Sequence, residues 1–345
     1  MPPVRALYVG YTSPSTQNHG DEALQWIIRD LLAPEIDVRA NWTDFDVAVL
    51  GGGTLINQSP WIAQKFEQAL AKAGTGRGIA LGTGVGDFVF WGNDLDRWRP
   101  LLERCDVVGV RGPLGARLLW DNHFENIIDC GDPYLWLKAP IERPFTPGLL
   151  GVNIGLTGDS HWGGSDGDLQ EVVTKTLHTL ASSGWKFHVF SVWSRDVPLM
   201  QSLASDLGPD VVLGTYNVRA DPLEAYSALA ACEIFLGEKL HACAMAAVAG
   251  VPFIAMEYQP KVRDFTASIG MDDPWTVSTK NLAPAQLTLL VEKLSSLRAD
   301  VKKSMTAARD ERRNRIVALA KIAKAAFSQQ CSVVPQVKTT GPGPS

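Results

Sequence analysis

Between Ile234 and Phe265 the chain reads IFLGEKLHACAMAAVAGVPFIAMEYQPKVRDF, and few folds accept that order of residues. Ile234–Leu236 is a short apolar run, closed by Gly237 where the backbone needs freedom in φ. Leu240, Ala244, Ala247 and Val248 then recur at helical spacing, Gly250 ends the helix, and Pro252 opens a second apolar run, PFIAM. This succession of strand, helix and strand is a βαβ unit, the building block of a parallel α/β sheet.

Lys239 and His241 lie in the turn that enters this helix, where unpaired backbone N–H groups favour an anion. Tyr258 and Lys261 follow the next strand, at the C-terminal edge where open α/β sheets bind ligands. A lone histidine in such a turn more often caps its helix, and a lone lysine is solvated. Four polar groups converging on two successive strand ends point instead to a ligand site, with Leu240 between the two basic residues.

The same pattern recurs upstream. Ala6–Gly10 reads as a first strand, followed by the polar loop YTSPSTQNHG and a helix that starts at Gly20, Asp21 and Glu22. Its apolar face is Leu24, Ile27, Ile28, Leu31 and Leu32. Asp21 and Glu22 suit a helix N-terminus on dipole grounds alone. The long loop before them, with Asn18 and His19, also sets them at a strand edge as candidates for acid–base chemistry. Val47–Leu50 runs into Gly51-Gly52-Gly53-Thr54, whose glycines are expected to expose backbone N–H groups to a ligand. No Gly-Lys-Ser/Thr follows and GxGxxG is absent, so the usual nucleotide loops are unsupported. Gly78–Leu81 is followed by an expected loop, GTGVGD, and Val107–Val110 by Arg111-Gly112-Pro113. Arg111 either reaches the cleft or tethers its loop to a carboxylate. Asp132, fixed between Gly131 and Pro133, is a further cleft candidate.

At 345 residues the chain exceeds the usual length for one core. Pro140, Pro144 and Pro147 mark a linker. The expected organisation is an N-terminal Rossmann-like domain over 1–140 and a C-terminal Rossmann-like domain over 149–329. A disordered tail is expected over 330–345. In the second half, helices are expected near Asp168–Ser182, Arg195–Leu207 and Pro222–Cys232, with strands at Leu149–Ile154, Lys186–Val192 and Val211–Leu213. C-terminal helices follow from Ala283 to Gln329, the last carrying Arg309, Arg312, Arg313 and Arg315 on what reads as a solvated face. Two α/β halves across a cleft form a GT-B-like layout with ligands between them. The loop holding His161 and Trp162 is either a mobile flap over that cleft or a solvated loop.

The net charge of −5 and the lack of a basic stripe argue against a nucleic-acid groove, so an anionic ligand must be held by local groups. Five cysteines without CxxC spacing indicate neither a zinc site nor a disulfide framework, and neither metal nor cofactor is expected. With no apolar N-terminal run and no segment of about 18 apolar residues, a cytoplasmic location is expected.

Taken together, the chain resembles the polysaccharide pyruvyl transferase family. The matching segments are Gly20-Asp21-Glu22-Ala23-Leu24, Gly51 through Ile56, Val110-Arg111-Gly112-Pro113, Gly131-Asp132-Pro133, Lys239-Leu240-His241-Ala242, and Gly250-Val251-Pro252 through Tyr258-Gln259-Pro260-Lys261. The resemblance implies a GT-B-like fold and transfer of the pyruvyl group of phosphoenolpyruvate, a co-substrate, to a sugar as a ketal. The acceptor would be a sugar of a polysaccharide precursor or a lipid-linked oligosaccharide, the latter placing the protein at the inner face of the membrane. The family's Arg-Leu-His donor-binding triplet carries over to Lys239, Leu240 and His241, with lysine in place of arginine. The resemblance also implies a donor-binding arginine near the start of the second half; GLTGDSHWGG holds none, and His161 is the nearest candidate. Two other functions fit the same architecture. One is a GT-B glycosyltransferase using a nucleotide sugar; the other is a non-catalytic carbohydrate-binding protein, with Trp91, Trp162 and Trp193 available for stacking. Oligomeric state is not indicated.

Overall fold

The computed structural model describes residues 2–11, 18–139, 143–158 and 162–330. It contains two parallel sheets. The first comprises β1 (Val4–Val9), β2 (Ile36–Arg39), β3 (Val47–Gly51), β4 (Thr54–Ile56), β5 (Gly78–Val85), β6 (Cys105–Val110) and β7 (Ile127–Asp129), ordered β2-β1-β3-β5-β6-β7 with β4 paired to β5. The second comprises β8 (Leu149–Asn153), β9 (Lys186–Ser191), β10 (Val212–Asn217), β11 (Ile234–Gly237), β12 (Phe253–Glu257) and β13 (Thr276–Ser278), ordered β10-β9-β8-β11-β12-β13. β3, β8, β11 and β12 are buried along their whole length, as expected for parallel strands covered on both faces.

Helices flank both sheets. The helix His19–Leu32 buries the apolar stripe read from the sequence, and Asn18 caps it by accepting from the Gly20 N–H at 3.0 Å. The helix Leu240–Ala249 buries eight of its ten residues, so it is apolar all round. Gly250 closes it at φ +69°, a conformation a side chain would disfavour.

The halves share a core. One apolar cluster covers the second sheet and continues through Tyr134, Ile27 and Leu319 onto one face of the first sheet; a second cluster fills the opposite face. The long helix Arg298–Gln330 leaves the second half and packs on β5, β6 and the helix His19–Leu32. Its arginines differ from the solvated face expected. Arg312 donates to Ser268 O in one half and Asp129 O in the other, and pairs with the Asp129 carboxylate at 2.6 Å. Arg313 donates to Leu135 O and Leu137 O. Backbone carbonyls left over at element ends recruit these guanidinium groups inward.

Several other details differ from the expectations. The glycines of GTGVGD lie within β5 up to Val85, because Thr54 and Ile56 of β4 pair with Gly84 and Val85 and extend the strand. The strand expected at Val211–Leu213 starts at Val212 and runs further, to Asn217, as β10. The helix expected from Arg195 begins at Val197, after a 3₁₀ turn over Ser194–Asp196. The expected tail falls, from residue 331, outside the described residues, as does His161.

Candidate active site

In the second sheet, the chain leaves β8 to one side through β9 and β10, then returns to the other through β11, β12 and β13. That reversal opens a crevice at the C-terminal ends of β8 and β11. Lys239, the N-cap of Leu240–Ala249, lies there, 6 % exposed. Its ammonium donates to Leu156 O at 3.1 Å and sits 4.8 Å from the centre of the Tyr258 ring and 5.7 Å from that of Trp193. Asp196 and Glu238 hold the adjoining backbone by accepting from Leu156 N–H and Gly155 N–H. Loss of water pushes the Glu238 carboxyl up to about 7, while Lys239 opposes that shift.

The first half closes over this crevice. The Asn18 backbone bridges to Trp193, and His19 N–H donates to Val192 O at 3.1 Å. Between the halves lies a cavity of about 370 Å³. The first half lines it with Tyr11, Asn18, Asp21, Gly53, Thr54, Trp91 and Arg111. The second lines it with Thr157, Val192, Trp193, Arg195, Lys239, Leu240, His241, Tyr258, Gln259 and Lys261. Among the described residues, four cations and one carboxylic acid, Asp21, therefore face one space.

Lys261 acts on the charge of both Asp21 and His241, and Asp21 acts on that of Lys261. Loss of water, with Arg111 beside it, pushes the Lys261 ammonium down to about 7, and Asp21 resists the shift. Loss of water likewise pushes the Asp21 carboxyl up to about 6, with Lys261 opposing and Glu22 reinforcing. His241 is held well below its ordinary range, first by loss of water and then by Lys261, Arg111 and His19, so its imidazole is neutral. The imidazole Nε2 is enclosed without a hydrogen-bond partner among the described residues. On its other side the ring lies against Gly20: a Cβ there would stand 1.8 Å from Nδ1. Gly20 is thus what lets the imidazole approach the start of the first helix.

Arg111 reaches the cavity and is tethered as well. It is 2 % exposed, donates from Nη2 to Thr54 Oγ1 at 3.0 Å, and lies 3.9 Å from Asp264. Asp264, from the second half, also accepts from the N–H groups of Leu114 and Gly115 and so caps a helix of the first half.

Three of the residues expected in the cleft are elsewhere. Glu22 points away and pairs with Arg219 at 3.1 Å, because the next helical position turns about 100° from Asp21. Asp132 is buried and accepts from Tyr134 N–H, capping the turn Pro133–Trp136. Gly52, at φ +69°, forms a kink against Leu24, where a Cβ would lie 2.8 Å from the Leu24 side chain. Gly53 lines the cavity, and its carbonyl accepts from Gly84 N–H, which ties this turn between β3 and β4 to β5. Trp162 is outside the cavity lining; its N–H donates to Tyr258 O and its ring meets the edge of Phe90.

Sequence reasoning missed Arg195, whose guanidinium lies 4.3 Å from the centre of the Trp193 ring. The signal was present: Trp193 and Arg195 directly follow β9, at the same sheet edge as Lys239. It was obscured because Arg195 also reads as the first residue of a helix.

The polysaccharide pyruvyl transferase family model matches residues 5–260, which include every cavity-lining residue named above except Lys261. The chain belongs to the polysaccharide pyruvyl transferase family. Membership makes it a transferase that modifies polysaccharides. No curated protein matches it by sequence. Among solved structures, the chain is similar to the glycotransferase of kitacinnamycin, with TM-score 0.55 and 14% identity over 95% of this chain and 99% of that one. It is also similar to Anabaena Alr3699/HepE in complex with UDP, with TM-score 0.53 and 10% identity over 96% and 100%. A glycosyltransferase from Rickettsia africae matches with TM-score 0.50 and 11% identity over 95% and 84%. At these identities the likeness is one of fold, and it makes this pyruvyl transferase family member GT-B-like.

Among its described residues, no helix is long and apolar enough to cross a membrane.

Proposed function

We propose that the protein transfers the pyruvyl group of phosphoenolpyruvate to two hydroxyls of a sugar, forming a pyruvate ketal and releasing phosphate. The observation that carries this reading is the convergence of Arg111, Arg195, Lys239 and Lys261 on one cavity at the N-terminus of the helix Leu240–Ala249. A compact ligand with both a carboxylate and a phosphate matches four cations and a set of free helix N–H groups. The lysine at 239 offers a point charge where an arginine would grip with two parallel bonds. Arg195, stacked on Trp193 in the same cavity, supplies a guanidinium nearby.

The proton inventory closes on two residues. Asp21, with its carboxyl raised toward neutrality, gives a proton to the methylene carbon, leaving positive charge on the carbon that bears the phosphate. A sugar hydroxyl attacks that carbon and gives its proton to the neutral His241. The C–O bond to phosphate breaks, and His241 passes the proton to the departing group. A second hydroxyl closes the ring and returns a proton to Asp21. The diol loses two protons, one of which completes the methyl group and one the hydrogen phosphate. The acceptor, whether a free or a lipid-linked sugar, would approach from the side of Tyr11, Asn18 and Thr54.

Phosphate release from phosphoenolpyruvate in the presence of candidate acceptors tests this. His241→Ala should lose roughly 10²- to 10⁴-fold in turnover while keeping its circular dichroism. Phosphoenolpyruvate at 100 times its Kd should stabilise the fold by about 2.7 kcal/mol in thermal unfolding, and Lys239→Ala should abolish the shift. Stabilisation by a nucleotide sugar with none by phosphoenolpyruvate would replace this reading with glycosyl transfer. Acceptor binding without phosphate release under any donor would leave a carbohydrate-binding protein.

A further inference from the structure

The helix Leu240–Ala249 has a second charged neighbourhood at its other end, about 15 Å from the cleft at 1.5 Å per residue. There Val248–Val251 border a cavity of about 670 Å³. Its cations are Lys138 and Arg143, from the connection between the sheets, and Arg298, Lys302, Arg309 and Arg313, from the long C-terminal helix. The protein as a whole carries a net charge of −5, so this concentration runs against the average.

Little of the charge is neutralised locally. Arg298 donates to Glu233 O, Arg309 to Ala247 O and Val248 O, and Arg313 to Leu135 O and Leu137 O. Carbonyl oxygens fix the orientation of a guanidinium but leave its charge in place. Among the described residues, two carboxylates adjoin the cluster. Asp310 pairs with Arg309 and Arg313, while Glu233 accepts from Gly148 N–H and from the Ser295 hydroxyl. The ammonium groups of Lys138 and Lys302 have no hydrogen bond or ion pair among the described residues, and both side chains are exposed at the rim. Deeper in, the Thr306 hydroxyl is enclosed without a partner among the described residues. Among the described residues, six cations against two carboxylates, with an unused hydroxyl donor among them, describe a site for a multiply charged anion.

We propose that this cavity binds a diphosphate group. One phosphomonoester brings roughly two negative charges at neutral pH, fewer than the surplus here, so two linked phosphoryl groups match the site better. Lys138 and Lys302 at the rim and Thr306 within would bind the phosphoryl oxygens, with Arg298 and Arg309 supplying the field. The connection and the long helix both border the cavity, so the ligand would bridge the two covalent crossings between the halves. The diphosphate could be soluble or the headgroup of a lipid.

Titration calorimetry with inorganic pyrophosphate on the full chain tests the site. The cleft variant Lys239→Ala/His241→Ala should retain the binding event. The rim variant Lys138→Glu/Lys302→Glu, altered only at exposed side chains, should lose affinity by about tenfold or more at 0.1 M salt, with the gap narrowing as salt rises. Unaltered circular dichroism and melting temperature in the rim variant exclude a folding cause. Flotation with phosphatidylcholine vesicles, with and without a long-chain alkyl diphosphate, identifies the source. Binding that needs the alkyl diphosphate and the two lysines means a lipid headgroup; pyrophosphate binding without vesicle binding means a soluble ligand. No heat with pyrophosphate in the cleft variant, or equal affinity in the rim variant, overturns the proposal.

Discussion

The two halves of this pyruvyl transferase family member have similar parallel sheets, each with a point where the strand order reverses, yet they use that point in opposite ways. In the first sheet described side chains take up much of the space beside the ends of β1 and β3: the Tyr8 hydroxyl donates to Gly51 O, and Leu24 and Tyr11 pack against the kink at Gly52 and Gly53, leaving Tyr11, Gly53 and Thr54 on the cavity wall. In the second sheet the crevice beyond β8 and β11 is open and lined by Lys239. The fuller half brings one acid, Asp21, and a tethered Arg111; the more open half brings Arg195, Lys239, Lys261 and His241. A shared topology therefore offers a place for a site, and side-chain volume decides which half leaves more of it open. The division also separates signs of charge, with a mostly cationic wall facing a carboxylic acid that is raised toward neutrality.

The sharpest way to break this arrangement is to push the halves apart where they touch most closely. Gly20→Ala should cost about as much activity as His241→Ala, roughly 10²- to 10⁴-fold, because the added methyl occupies the space of the imidazole. Phosphate-release kinetics with circular dichroism reads this, and activity within a few-fold of the parent would mean that the ring's position is not the constraint. Asp264→Ala removes a helix cap and the buried carboxylate near Arg111, so stability should fall by about 3 kcal/mol, measured by urea unfolding.

The separation of charge also predicts a pH dependence. Lys261 in the free protein is pushed down to about 7, and a bound anion would raise it again, so binding takes up a proton above that pH. Phosphoenolpyruvate should bind more weakly as pH rises from 7 to 9. Calorimetry in buffers of different ionisation enthalpy should detect the uptake, and its absence would mean that Lys261 does not face the donor. Protein stability should move the other way: the unfolded chain binds the Lys261 proton up to its ordinary range, so this group's penalty shrinks as pH rises above 7. His241 acts in the same direction at lower pH. Its folded pKa is depressed, so stability falls as pH drops below about 6.5 and the unfolded imidazole takes up a proton. The smallest effect is expected at Glu22. Its pair with Arg219 is about one-third exposed, so Glu22→Gln should change turnover less than about twofold and stability by at most about 1 kcal/mol.

What the sequence disclosed depended on distance along the chain. Lys239, Leu240 and His241 were legible because strand, turn and helix that aim them are contiguous. The apolar stripe from Leu24 to Leu32 was legible for the same reason. Asp21 and Glu22 could not be told apart, since choosing between them requires knowing that Arg219 lies across from one and the cavity across from the other. Asp132 looked like a cleft residue because a buried cap and an exposed ligand carry the same Gly-Asp-Pro signature. The tether of Arg111 to Asp264, 153 positions away, and the recruitment of Arg312 to Asp129 are long-range pairings that no local pattern announces. Arg195 was hidden by an ambiguity of role, as a helix former and as the residue just beyond a strand.

The long helix Arg298–Gln330 begins in the second half and lies across the first, so the backbone passes between the halves twice, once through 138–148 and once through this helix. A single tether would leave the halves free to twist about it like a swivel. Two attachments define a line, and relative motion is then restricted to swinging about that line, with the Asp264 cap and the Glu22–Arg219 pair among the contacts that must release. Gaining access to the cleft is thus a rotation in one degree of freedom, and its amplitude could be read from the distance between labels at Trp61 and Leu213.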